Sequence, residues 1–203
     1  MALDNKKIEE TKKLVPRLFN EGIISKSENH KKLASFFKEN AEDSLNSAQL
    51  LYKVSTDSKL QDMTGFPNLK GFLWVINASY YSMFYMASAL LANSGIKIKS
   101  EVGIHKITFD SFVYYFYLTD KIAKEYVEQF LEALEDSEEL LGREEVVKRA
   151  EEKAKELITS FDSEREKRRT FTYELERTKI ETRAKTSLER ANHFYREIIK
   201  LIK

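Results

Sequence analysis

"GFLWVINASYYSMFYMASALLANSGI", Gly71 to Ile96, carries no charged residue over a length that could span a bilayer. Its interior argues against that reading. Asn77, Ser79, Ser82, Ser88 and Asn93 recur along it, and its aromatics are spread out rather than gathered at two interfaces. Polar groups at this density are costly in lipid but can be hydrogen-bonded inside a helical bundle. No second segment of the kind exists for it to pack against. The stretch therefore predicts a central helix, apolar all round because other helices wrap it, with Trp74, Tyr81, Phe84 and Leu91 buried and no membrane association.

The flanking sequence reads as helix almost throughout. Only two prolines, Pro16 and Pro67, and six glycines punctuate 203 residues, and apolar residues recur at three- and four-residue spacing. Ile23 and Ile24, followed by Leu33, Phe36, Phe37, Ala41, Leu45, Ala48 and Leu51, predict an amphipathic helix with Ser25 and Glu28 at capping-box spacing. "STDSKLQDMTGFPNLKG" then interrupts the pattern. Beyond Gly95, His105 leads Phe109, Phe112 and Phe116; "FVYYFYL" could pass for a strand, but nothing nearby would pair with it, and helix is expected. The fold class is thus all-α, an antiparallel bundle of five or six helices. The aromatic excess on 72–93 and 109–117 exceeds what one small core needs and predicts a homodimer.

Charge sharpens the picture. The chain holds 34 Lys plus Arg against 33 Asp plus Glu, a net of +1, so no global field draws it to nucleic acid or acidic lipid. The local balance is uneven. Residues 120–161 hold 7 basic and 13 acidic residues, a net of −6, with Val146, Ala150, Ala154, Leu157 and Phe161 as an apolar stripe and Gly142 as a break. Residues 162–203 hold 12 basic and 8 acidic, a net of +4, and Ala184, Leu188, Ala191, Tyr195, Ile198 and Ile202 mark a final amphipathic helix. Opposite nets favour packing side by side or across a dimer. Absence of cysteine excludes disulfides, thiolate metal sites and a Cys nucleophile, and "MALDNKKIEETKK" lacks the apolar run of a secretory signal, so a cytoplasmic protein is expected.

Few chemistries fit. Glu101 with His105 and Glu189 with His193 are spaced i to i+4, but the Glu-x-x-His pairs of di-iron bundles are missing, and both read as helix pairs or core contacts. Adjacent glutamates at 138–139, 144–145 and 151–152 point to different helix sides and form no two-carboxylate site. No Gly-rich phosphate loop follows a strand. Neither a metal nor a cofactor is expected. What stands out is "EREKRRTFTYELER", 164–177, where Arg165, Lys167, Arg168 and Arg169 precede Phe171 and Tyr173. Guanidiniums offer forked donors suited to phosphate, and aromatic rings offer stacking surfaces for bases.

"NASYYSMFYMASALLANSGIKIKSEVGIHKITFDSFVYYF" resembles the central pair of helices of the HEPN superfamily (higher eukaryote and prokaryote nucleotide-binding domains), in which an A-x-YY-x-M-F-x-x-A-x-A-L-L run is followed by Gly, a polar turn and a His-led helix. "ASFFKENAEDSLNSAQLLYK" resembles the family's first helix, and "KRRTFTYELERTKIETRAKTSLERANHFYREIIKLI" its basic-then-Tyr segment and last helix. The resemblance implies a helical extension over 1–30 and a HEPN-like domain over 31–203, with an unusually long acidic stretch at 120–161. It also implies a toxin, antitoxin or defence-system component working with RNA or nucleotide and with a nucleotidyltransferase partner. Active family members are metal-independent ribonucleases bearing an Arg and a His separated by four to six residues. None of His30, His105 or His193 has an Arg at that spacing before it. In its place stand Arg168 and Tyr173, a phenol that ordinarily titrates near pH 10 and is a poor base at neutral pH. The resemblance therefore implies a catalytically degenerate phosphate-binding protein. Two alternatives stay open: an active ribonuclease toxin with a variant site using Arg168 and Tyr173, and a structural dimeric module whose arginines pair with the acidic stretch. A partner enzyme's nucleotide modification of Tyr173 is a further implied role.

Overall fold

The structure, a computed structural model, describes residues 3–100, 103–139 and 165–202, with side chains in the last segment described from Lys179 onward. Asp4 opens α1 (Asn5–Asn20) by accepting the Lys7 amide at 2.8 Å, which satisfies one of the amides that a helix start leaves unpaired. Gly22, at φ +74°, turns the chain out of α1 into β1 (Ile24–Lys26). A 3-10 turn (Glu28–Leu33), α2 (Ala34–Thr56), α3 (Ser58–Thr64) and α4 (Phe72–Asn93) follow. Beyond them lie β2 (Ile96–Ile98), α5 (Ile104–Phe112), α6 (124–139) and α7 (Arg165–Ile198), which ends in a 3-10 turn at Ile199–Leu201. The described chain is an all-α bundle with one small two-stranded ribbon.

Helix α4 occupies the centre as its sequence predicts. It packs between α2 and α7, with Val75, Ile76, Met83, Met86, Ala87, Leu90 and Leu91 buried. No described helix is long and apolar enough to cross a membrane. Phe84 and Leu91 are buried and Tyr81 half-buried, but Trp74 is 59% exposed. The first turn of α4 is covered on one side only, through Phe72, Val75 and Ile76, so the helical period turns Leu73 and Trp74 outward. Of the polar groups on this helix, Ser88 donates to the Phe84 carbonyl at 2.8 Å, whereas the Oγ atoms of Ser79 and Ser82 are buried without a partner.

The ribbon is the departure from the expected pattern. Ile23 and Ile24 do not begin a helix; β1 pairs antiparallel with β2, Ile24 opposite Ile98 and Lys26 opposite Ile96. β-branched residues straight after a left-handed glycine favour extended backbone, and the Ser27 amide extends the pairing by donating to the Gly95 carbonyl at 2.8 Å. Ser25 therefore lies in a strand, and Ser27, not Ser25, precedes the 3-10 turn, with no side-chain cap. The interruption after α2 is a built loop. Buried Gln61 donates to the Val54 and Leu69 carbonyls and accepts the Asn68 amide, while Ser55 Oγ accepts the Gly71 amide at 2.8 Å.

"FVYYFYL" is helical, α5 continuing as a π-helical turn at Val113–Tyr117. Its aromatics serve the chain's own core: the Phe112 ring lies 5.7 Å from those of Phe130 and Phe194, and Phe109 lies 5.6 Å from Phe130. Much of the aromatic excess is thus absorbed by α6 and α7. The first 30 residues contribute too, since Leu3, Val15, Leu18 and Ile24 join the main core cluster. Gly142 and the stripe from Val146 to Phe161 lie outside the described residues.

Candidate nucleic-acid interface

The final amphipathic helix sets the frame for the candidate segment. Ala184, Ala191, Phe194 and Ile198 of α7 are buried, with Leu188 and Tyr195 packed beside them. Their three- and four-residue alternation holds one face of α7 against α4. Asn192 Oδ1 accepts from Gln49 Nε2 at 2.9 Å, joining α7 to α2.

A second face of α7 meets the acidic helix α6. Arg183 Nη2 donates to Asp136 Oδ1 at 2.7 Å and to Glu139 Oε2 at 2.9 Å. Arg190 Nη1 donates to Asp136 Oδ2 at 3.1 Å, and its Nη2 lies 2.9 Å from Glu132 Oε2. Asp136 thus has each carboxylate oxygen held by a different guanidinium. Burial works against the charge on Arg183, but its bonds to Asp136 and Glu139 outweigh that and raise its pKa above the ordinary arginine range. The side-by-side packing expected from the opposed local charges is present within one chain.

The six candidate residues, Arg165, Lys167, Arg168, Arg169, Phe171 and Tyr173, all fall in the N-terminal half of the same helix. The segment does not lead into the last helix but belongs to it. Helical backbone places Arg165, Arg168 and Arg169 within little more than one turn and Tyr173 one turn beyond Arg169. Their side chains lie outside the described ones. Arg169 precedes Arg183 by fourteen residues, about 21 Å of helix at ~1.5 Å per residue, so the arginines that grip α6 and the basic cluster occupy separate stretches of α7.

Two of the three histidines, His105 and His193, are hydrogen-bonded elsewhere. His105 Nδ1 and the Tyr80 hydroxyl share a hydrogen bond of 2.7 Å, and the imidazole sits 4.5 Å from the Phe84 ring centre. Burial lowers its pKa, with the Glu138 charge opposing. It is a partly buried, bonded histidine. His193 shares a 3.0 Å bond with Gln129 and lies beside Tyr126, while Glu189 is 4.0 Å from Lys185. Glu101 lies outside the described residues. No group of three or more His, Asp or Glu side chains among the described residues could hold a metal ion.

Sequence reasoning missed one polar constellation. Thr11 Oγ1 donates to Asp110 Oδ1 at 3.0 Å across 99 positions, inside the core boundary. Its signal was a lone carboxylate between Phe109 and Phe112, in a run otherwise free of charge from Ile107 to Thr119. Comparison with family models, curated proteins and solved structures finds no match for this chain.

Proposed function

We propose that this chain is a HEPN-type helical module that binds RNA or nucleotide phosphate through Arg165, Lys167, Arg168 and Arg169, with Phe171 and Tyr173 stacking on bases, and that it does not cut what it binds. The supporting observation is the separation of charges along α7. Arg183 and Arg190 satisfy Glu132, Asp136 and Glu139 of α6, so these three acids are matched by arginines outside the basic cluster. That supports a role for the cluster distinct from gripping these acids. The missing Arg-and-His spacing of active family members supports a non-cleaving role, since the proton-transfer group they use has no counterpart here. A homodimer would double the cluster about a two-fold axis into one phosphate-binding groove. The resemblance places such a module in a toxin-antitoxin or defence setting beside a nucleotidyltransferase.

The test compares wild type with an Arg165, Arg168, Arg169→Ala variant for binding of a labelled RNA at two salt concentrations and for metal-free cleavage. Wild type should bind more weakly as salt rises, because phosphate contacts release counterions, and the variant should lose most of that salt-dependent binding. Cleavage by wild type but not by the variant would overturn the non-cleaving claim and give Tyr173 a catalytic part. Absence of binding by both would leave the segment as a solvated stretch of helix.

A further inference from the structure

Three helices meet at His105. It stands in the first turn of α5 with its imidazole half-buried, 4.5 Å from the Phe84 ring and edge to face with Tyr81 at 5.8 Å, both on α4. Its Nδ1 and the Tyr80 hydroxyl lie 2.7 Å apart, and Tyr80, 3% exposed, packs its ring 6.4 Å from that of Phe130 on α6. The charge of Glu138, also on α6, acts on both groups. Among the described residues, Tyr80, Tyr81 and Glu138 are the titratable groups that face this imidazole from the packed helices; the next residue of α5, Lys106, lies with Asp110 on the side that faces α1.

The bond between His105 and Tyr80 has one workable direction. Among the described residues the Tyr80 hydroxyl has no partner except His105, and buried hydroxyl hydrogens are seldom left unbonded. Burial keeps the phenol protonated by raising its pKa further. Tyr80 therefore donates to Nδ1, and the neutral imidazole carries its hydrogen on Nε2. A proton arriving at His105 occupies Nδ1, the nitrogen that accepts. The pair then survives only inverted, with Nδ1 donating to the phenol oxygen, which strands the hydroxyl hydrogen among the rings of Tyr81, Phe84 and Phe130.

We propose that His105 and Tyr80 form an acid-operated latch, closed while the imidazole is neutral and opened by its protonation, which frees the first turns of α5 from α4 and leaves Glu138 of α6 as the counter-charge of the imidazolium. Burial sets the step below the ordinary histidine range near pH 6.5, with Glu138 pulling it back. The latch shares no residue with the basic segment of α7, so the two proposals stand or fall separately.

Nuclear magnetic resonance of the full chain with nitrogen-labelled histidine, followed from about pH 8 to about pH 5, tests this. The neutral His105 ring should carry its hydrogen on Nε2 and none on Nδ1. Through its acid step the amides of Ile107 to Phe109, the first of which bonds the Gly103 carbonyl, should lose about tenfold in hydrogen-exchange protection while those of Ala191 to Phe194 keep theirs. Tyr80→Phe keeps the ring but removes the donor to the neutral imidazole, so it should raise the His105 midpoint by about 0.5–1 pH unit, and the acid step should no longer change protection at the start of α5. A neutral ring with hydrogen on Nδ1, protection unchanged through the wild-type step, or a midpoint that Tyr80→Phe leaves in place or lowers would each overturn the proposal. The first two are read on wild type and need no variant.

Discussion

Replacing Asp136 with Ala should remove the joint between α6 and α7. Two bonds are lost, Arg183 Nη2 to Oδ1 at 2.7 Å and Arg190 Nη1 to Oδ2 at 3.1 Å. A hydrogen bond to a charged group contributes about 1.5–3 kcal/mol. Each bond here contributes less, about 1 kcal/mol, because Glu139 and Glu132 remain to take part of the guanidinium charge and both are substantially exposed. Against this, the Arg190 side chain is only 12% exposed and would be left partly uncompensated. The sum is about 2–3 kcal/mol, and for a chain of this size each ~1 kcal/mol lowers the melting temperature by about 2–4 °C. A fall of about 4–12 °C is expected in a calorimetric or circular-dichroism melt. In the cycle with Arg190→Ala the two changes should be coupled by at least ~1 kcal/mol, since both break the same bond. A melt within ~1 °C of wild type, or strict additivity with Arg190→Ala, would refute the reasoning. It would place these contacts with exposed ion pairs of no measurable worth and remove the support they give to a separate role for the basic segment.

Phe112→Ala, in a ring buried against Phe116, Phe130 and Phe194, should cost about 3–5 kcal/mol, as should Phe84→Ala in α4, whereas Trp74→Ala at an exposed site should stay within ~0.5 kcal/mol; denaturant midpoints that reverse this order would contradict the packing described. Burial holds the His105 imidazole below its ordinary pKa, so the folded chain takes up that proton less readily than the unfolded one: stability is complete above about pH 6.5 and declines as pH falls below it. His105→Phe should flatten that decline, His30, also lowered by burial and by Lys97, accounting for the slope that remains; a profile unchanged by the substitution would show the histidine to be freely solvated. Asp110 has the opposite sign: its raised pKa means that ionisation destabilises the fold as pH climbs through the folded value, so Asp110→Asn should raise the denaturant midpoint at neutral pH and lose that advantage in acid, and a lower midpoint at neutral pH would count against the unpaired Oδ2.

The parts of the fold legible in the sequence are those set by local period. The uncharged run at 72–93 identified the central helix, and the three-four alternation from Ala184 to Ile198 identified the last one, because side-chain spacing is fixed within a single helix. What stayed hidden depends on partners far along the chain. Ile23 and Ile24 carry no local sign of being a strand until Ile96, Lys97 and Ile98 lie beside them, more than 70 residues later. Trp74 is apolar and sits in a run of buried neighbours, yet its exposure is decided by how far α2 and α7 extend past the first turn of α4. For the candidate site, the opposed charges of the two C-terminal stretches were readable, but composition alone could not tell which arginines meet which acids. Thr11 and Asp110 likewise have no shared local pattern, since they meet only when α1 closes on α5.

Position along α7 then separates what composition merged. Arg183 and Arg190 are seven residues apart, two helical turns, and so recur on one face opposite Glu132, Asp136 and Glu139. A helix designed to extend that seam upstream would place the next Arg at 176, but the sequence has Glu176 there, and at the other end the same spacing meets Glu197. A glutamate on an acid-binding face repels what the two arginines attract, so neither position favours extending the seam. Of the basic cluster, only Arg169 falls on the seven-residue series; Arg165, Lys167 and Arg168 do not. Three of the four basic residues of the cluster thus fall off the seven-residue series that Arg183 and Arg190 define. Glu164 and Glu166 interleave with the cluster, leaving a net of +2 over residues 164–169 that an anion can neutralise. Phosphate is the anion whose geometry suits three guanidiniums, and loss of salt-dependent RNA binding in the triple arginine variant is the outcome that this spacing predicts.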